Sequence, residues 1–407
     1  MPPTFRHATL PNGLTIIAED DPSAYSSAAG FFVKTGARDE DTSVMGVSHF
    51  LEHMMFKGTD EITAEELNRR FDEMGAKNNA FTSNEMTCFY AHVLPEHLGS
   101  CVELLAKMMR PALRQADFDT EKGVILEEIA MYKDNPFWVL YEASIEKHFG
   151  AHPLSHRVLG TTESITALKS EQMRAYLENR YSADNTIVAL SGRMDFEREV
   201  DRLGELCGGW KPTRVSRDNA RPAVVGGEMV LRDEKVTRGY LLAMCDAPAY
   251  DDPRRYAATL LAQTLGAPDN SLLHWSLIEP GIAEEAQASF APHDGFGEFF
   301  VYASGDPERL EEIWETIQGQ LVKLGDAVTE DDLVRLKNKV RTSATVGGER
   351  PLDRMHRLGA SWTYLGRYAP LEEELDLLER VTLGDVRETC RMYPVRATTL
   401  GKLLPAG

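Results

Sequence analysis

The sequence predicts an α+β protein of two similar halves, each a mixed, mostly antiparallel sheet covered by helices. Three observations carry this. Strand–strand–helix segments recur in the same order roughly 210 residues apart, a spacing of domain rather than solenoid size. A Pro- and Gly-rich stretch without periodicity separates the two copies. The 407 residues suffice for two domains of ordinary size.

In chain order, the first half opens with an apolar strand at Gly30–Val33 and a helical stretch around His49–Phe56. Paired strands follow at Asn79–Thr82 and Cys88–Ala91, then a helix entered at Leu94-Pro95-Glu96, where proline in the first turn needs no N–H partner. A helix over Asp117–Lys133 comes next, and late in the half a helix over Ser170–Tyr181 precedes a strand at Thr186–Leu190. The second half repeats the scheme: a strand at Gly239–Ala243, a helix at Arg255–Leu265, and paired strands at Ala286–Phe290 and Phe299–Tyr302. A proline-bearing helix start follows at Asp306-Pro307, then a helix over Thr382–Tyr393 before a final apolar segment. Residues 1–210 therefore read as the first domain, 211–227 as a linker and 228–407 as its homologue, with the helices expected on one face of each sheet.

Composition narrows the function classes. Hydrophobic residues at 43% and charged residues at 27% are globular usage, not that of a disordered chain. Lys+Arg 44 against Asp+Glu 64 leaves a net charge of −20, which repels nucleic acid and anionic membrane. No apolar run is long enough to span a bilayer, and the start lacks an apolar signal core. Five scattered cysteines without CxxC spacing argue against a disulfide framework and a thiolate zinc site, so a cytoplasmic protein is expected.

The sharpest chemical signal is His49-Phe50-Leu51-Glu52-His53. On a helix, His49 and His53 lie four apart on one face, about 5–6 Å between Cβ atoms, close enough to converge on one zinc ion. Glu52 leans over the same face, and this is the inverted zincin order. Two neutral imidazoles leave the ion net positive, so a bound water loses its proton near neutral pH, and an adjacent carboxylate can carry that proton to a leaving amine. Phe50, Leu51, Met54, Met55 and Phe56 mark a buried helix, in which two histidines and a carboxylate are costly unless something binds them. Catalytic zinc needs a third protein ligand and an open position. Along Asp117–Lys133, one face holds Asp117, Glu121, Val124, Ile125, Glu128 and Tyr132, with Glu127 rotated into solvent. By themselves, Glu121 and Glu128 fit a salt bridge as well as a metal site. His152 and His156 are also four apart, but Pro153 between them breaks helical phase, so they read as loop residues. Met54-Met55 and Met108-Met109 read as core packing.

These residues resemble the pitrilysin-type zinc peptidases, and closely the branch of mitochondrial processing peptidase and its bacterial homologues. The resemblance spans the chain. It includes His49–Met54 with Phe56-Lys57-Gly58-Thr59, Met74-Gly75-Ala76, Asn79–Ser83, Glu121–Glu128, His152-Pro153-Leu154 and Leu159-Gly160-Thr161. It implies zinc held by His49, His53 and Glu128, with Glu52 as general base and Glu121 as a supporting carboxylate of the catalytic site. It also implies that substrate adds as a strand along Asn79, Ala80, Phe81 and Thr82, a mode that selects short or unfolded peptides.

One stretch departs from the family pattern. Catalytic members carry an arginine and a tyrosine seven apart in the second half, which grip the substrate and its oxyanion. Here Leu277 or Ile278 stands at the arginine's place and Glu284 at the tyrosine's. The resemblance therefore implies a heterodimer enclosing a chamber, with a homologous partner supplying that pair, and a homodimer as second choice. A non-catalytic assembly subunit or a peptide-binding protein is the alternative. Assembly subunits of the family typically lose zinc-motif residues, and all four are present here.

Overall fold

The computed structural model describes residues 3–406. Among the described residues, eleven strands form two sheets. The first contains β1 (Thr4–Thr9), β2 (Thr15–Asp20), β3 (Ser27–Val33), β4 (Lys77–Thr82), β5 (Thr87–Val93) and β6 (Thr186–Gly192), in the order β1-β2-β6-β3-β5-β4. The second contains β7 (Gly227–Asp233), β8 (Gly239–Ala247), β9 (Glu285–Pro292), β10 (Gly297–Gly305) and β11 (Thr399–Pro405), in the order β7-β11-β8-β10-β9. Each sheet has one parallel pair, β2 with β6 and β7 with β11, and is otherwise antiparallel.

Five strands of the first sheet recur in the same order in the second, β1 having no counterpart, and the β3–β5 and β8–β10 ladders match in register. Ser27 faces Val93 in one sheet and Gly239 faces Gly305 in the other, each 212 residues on (27 to 239, 93 to 305). A duplicated α+β fold is thus written in the hydrogen-bond ladders themselves.

Both faces of each sheet are covered, rather than one, and the second cover comes from the other half of the chain. The first compact unit comprises residues 1–129, 156–217 and 345–369; the second comprises 130–155, 218–344 and 370–407. They interleave along the sequence instead of dividing once at 211–227. In the first unit, Phe31, Val33, Phe50, Leu51, Phe89 and Phe118 fill the main core. The opposite face packs the helix Pro351–Leu365 through Phe32, Cys88, Met355 and Leu358. In the second unit, Leu241, Ala243, Leu261, Val301 and Ile317 fill the main core, while the helix Pro136–Phe149 lies on the other face with Leu242, Met244 and Leu403. Glycine permits each of these close approaches. A Cβ at Gly359 would stand 2.1 Å from the Phe32 ring, and one at Gly401 would stand 2.6 Å from Ser144 Oγ.

Candidate metal centre

The helix Val47–Met55 carries the first three functional side chains. Gly46, at φ +91°, turns the chain into it, and Gly58, at φ +88°, turns the chain away. Its free N–H groups are held by Glu40, whose buried carboxylate accepts from Gly46 N at 2.7 Å and Ser48 N at 2.8 Å. Phe50, Leu51, Met54 and Met55 are fully buried, which fixes the helix rotation and presents His49, Glu52 and His53 together.

The helix Gln115–Tyr132 supplies the acids. Phe118, Glu121, Ile125 and Ile129 are its buried residues, and Phe118 stacks on Phe50 of the metal helix at 4.7 Å between ring centroids. That contact sets the height at which Glu121 and Glu128 reach His49 and His53. Glu127 is solvent-exposed; Val124, expected on the buried face, is exposed as well.

His49 Nε2 lies 3.7 Å and His53 Nε2 lies 3.6 Å from the same oxygen, Glu128 Oε2. The three potential ligand atoms fall within 4.8 Å of one another, the one such cluster among the described residues. Tetrahedral zinc with bonds of about 2.1 Å separates its ligands by about 3.4 Å. The donor set therefore fits zinc in chemistry and spacing. Burial pushes the His49 imidazole down to about 3, with the neighbouring His53 acting in the same direction, so it is a neutral donor at ordinary pH.

The surroundings also orient the ligands. His53 Nδ1 stands 2.8 Å from Glu121 Oε1, so the N–H donates there and the Nε2 lone pair faces Glu128. Lys57 closes on the other Glu121 oxygen and fixes that nearly buried carboxylate. Glu52 faces the same space. Burial pushes its carboxyl above the usual range, against the opposing effects of Thr82 and His53. Thr82 Oγ1 donates to Glu52 Oε2 at 2.5 Å.

Of the four residues expected to bind substrate, Asn79, Ala80, Phe81 and Thr82 all lie on β4, whose one sheet partner is β5. Asn79 Oδ1 accepts from Ala80 N, Phe81 is exposed, and Thr82 is engaged with Glu52. Lys57 and Glu40 are the additions the sequence reading lacked. Lys57 was visible one residue after Phe56, but its bond to a residue 64 positions away (57 to 121) has no local signature. His156 places Nδ1 3.1 Å from the Ala37 carbonyl, while His152 Nδ1 accepts from Leu154 N.

Comparison with known proteins gives the family. Residues 15–162 match the family model described as insulinase (peptidase family M16), and residues 167–340 match the peptidase M16 inactive domain. An uncharacterized zinc protease of Mycobacterium leprae is 33% identical over 390 residues, covering 93% of this chain and 86% of its own. The Bacillus subtilis uncharacterized zinc protease YmxG is 29% identical, covering 99% of each. The crystal structure of a Helicobacter pylori protease superposes with a TM-score of 0.91 at 20% identity over the whole of both chains, a likeness of fold. The chain belongs to peptidase family M16.

Proposed function

We propose that the chain is the metal-bearing subunit of a zinc endopeptidase acting on short or unfolded peptides. The observation that carries this reading is the convergence of His49, His53 and Glu128 on one small volume, with Glu52 facing it. His49, His53 and Glu128 would hold the ion. When bound, zinc supplies Lewis acidity toward a peptide carbonyl and toward water.

The remaining work falls to this chain's own groups. Glu52, held by Thr82, takes a proton from the attacking water and returns it to the departing amine; its raised affinity for protons suits both halves of that task. Glu121 and Lys57 keep His53 in the tautomer that leaves Nε2 free to ligate. The open edge of β4 offers backbone N–H and C=O groups to an extended peptide. Folded proteins lack such a free strand and should resist cleavage.

Oxyanion stabilisation by the second half is not built into this chain. Leu277 is fully buried in the apolar core of its unit, and Glu284 is engaged by Arg238 at 2.7 Å. This supports a heterodimer in which a homologous chain contributes the arginine and tyrosine. The same two positions favour, as second reading, a non-catalytic subunit that retains a metal site.

Two measurements separate the readings: zinc content, and cleavage of a quenched unstructured peptide by the chain alone and with a homologous partner. A peptidase carries one zinc per chain and loses turnover on Glu52→Gln without losing zinc. A metal-loaded chain that cleaves nothing in either setting is the second reading.

A further inference from the structure

Strands β2, β3, β5 and β6 recur as β7, β8, β10 and β11 with a shift of 212 residues. Thr15 beside Ile187 corresponds to Gly227 beside Thr399 (15 to 227, 187 to 399). The helix Leu98–Met108 corresponds to Leu310–Ala327, each entered through a tight turn that starts with proline. The helix Ser170–Arg180 ends at Tyr181 as Leu383–Met392 ends at Tyr393.

Besides the edge strand β1, a helix of the first unit has no counterpart. After β6 the chain forms the helix Phe196–Cys207, which buries Phe196, Leu203 and Cys207 and packs along Leu98–Met108. The segment after it seals the start of β2 and the approach to β6. Asn12 Nδ2 donates to the carbonyls of Cys207 and Trp210 at 2.8 and 3.1 Å. Asp184 accepts from Thr213 N and Arg214 N at 3.0 and 2.9 Å, and the Arg110 guanidinium lies 3.7 Å from the centre of the Trp210 ring.

The seat that Phe196–Cys207 takes against Leu98–Met108 has its counterpart on Leu310–Ala327 of the second unit. The corresponding surface is a cleft of about 830 Å³, a volume in the range of ligand sites. Trp314, Leu321 and Val322 give it apolar lining, and Arg387, Arg391 and Arg396 line it as well. At the 212-residue shift Val322, 86% exposed, falls at the position of Arg110 and Arg396 at that of Asp184 (110 to 322, 184 to 396). The carboxylates in the lining are Glu228 and Asp326, the latter 3.7 Å from Arg387. Arg391 and Arg396 make no ion pair among the described residues. In a chain of net charge −20, three arginines around one apolar cleft are a local reversal of sign.

We propose that this cleft is the docking site for an acidic amphipathic helix of a partner protein, seated as Phe196–Cys207 is seated in the first unit. Its apolar face covers Val322, Leu321 and Trp314, and its acids meet Arg391 and Arg396. This site lies outside the metal centre and does not depend on the peptidase reading.

The test uses a fluorescent peptide of residues 195–212, which spans the seated helix and Trp210 and has five acidic and three basic residues. It is titrated against the full-length chain carrying Glu52→Gln, which keeps the probe intact, and followed by anisotropy. Saturable binding is expected, weakened about tenfold or more by Val322→Glu, by Arg391→Glu with Arg396→Glu, and by raised salt. A thermal melt of each variant checks that the fold is retained. Absence of saturable binding, or binding indifferent to these surface substitutions, overturns the proposal. So does self-association of the chain that Val322→Glu abolishes, which would assign the cleft to a second copy.

Discussion

Glu52 and Glu121 are both carboxylates beside His53, and their partners give them different work. Glu52 touches one neutral hydroxyl, and burial lifts its proton affinity, as a proton carrier requires. Glu121 is clamped between an imidazole N–H and Lys57, as an orienting group requires. Glu52→Gln should lower kcat by roughly 10²–10⁴-fold with zinc content unchanged, measured on a quenched peptide and by elemental analysis. Glu121→Gln should lower zinc affinity roughly 10–100-fold in a chelator competition, and Lys57→Ala should move it the same way by less. His49 sets a pH dependence. The folded imidazole takes a proton near pH 3 and its unfolded counterpart near 6.5, so between those values the unfolded state binds more protons. The metal-free protein should therefore lose stability as pH falls through that window, with this group contributing a slope of up to about 1.4 kcal/mol per pH unit. Glu52, with its raised value, acts in the opposite sense in its own range, so His49→Gln should flatten the acid limb of a denaturant titration.

At the scale of elements, the metal helix and the paired strands were readable because their signals are local. The four-residue spacing of His49 and His53, the apolar residues around them and the glycine after the helix are all contiguous in sequence. What ties these elements together was not readable. Glu40 caps the metal helix from an earlier loop, and Lys57 meets Glu121 across two helices; each depends on a chain path that no periodicity encodes. The helices Pro136–Phe149 and Pro351–Leu365 carry ordinary apolar patterns, and the default is that consecutive elements pack together. Each instead joins the unit built mainly from the other half, where Gly359 and Gly401 make room. Gly359→Val should therefore destabilise the protein by about 1–3 kcal/mol in chemical unfolding, since Phe32 and the Met355 side of the core have no free volume to yield.

For the whole molecule, the duplication was legible from the recurrence of elements, and the ladders show it as a 212-residue shift in four of the five repeated strands, with β9 displaced by 208 from β4 (82 to 290). The sequence also pointed to all three prospective zinc ligands, although Glu128 was selected by family resemblance; its own neighbourhood left a salt bridge equally open. Among the described residues no helix is long and apolar enough to cross a membrane. Leu277 or Ile278 and Glu284 stand where the family resemblance places an arginine and a tyrosine, and on the proposed reading a homologous partner supplies that pair. Turnover by the chain alone should thus be at least about tenfold below that of a mixture with a homologous partner, because oxyanion donors are each worth a few kcal/mol.

On the proposed reading His49, His53 and Glu128 hold one catalytic zinc ion. X-ray absorption at the zinc edge, with metal content measured in parallel, tests it most directly on the purified chain and its His49→Ala, His53→Ala and Glu128→Ala variants. One zinc per chain, ligated by nitrogen and oxygen at about 2.0–2.2 Å, is expected in the unsubstituted chain and is expected to be lost or greatly weakened in every variant. Zinc bound with unchanged affinity and unchanged shell in all three variants would contradict it.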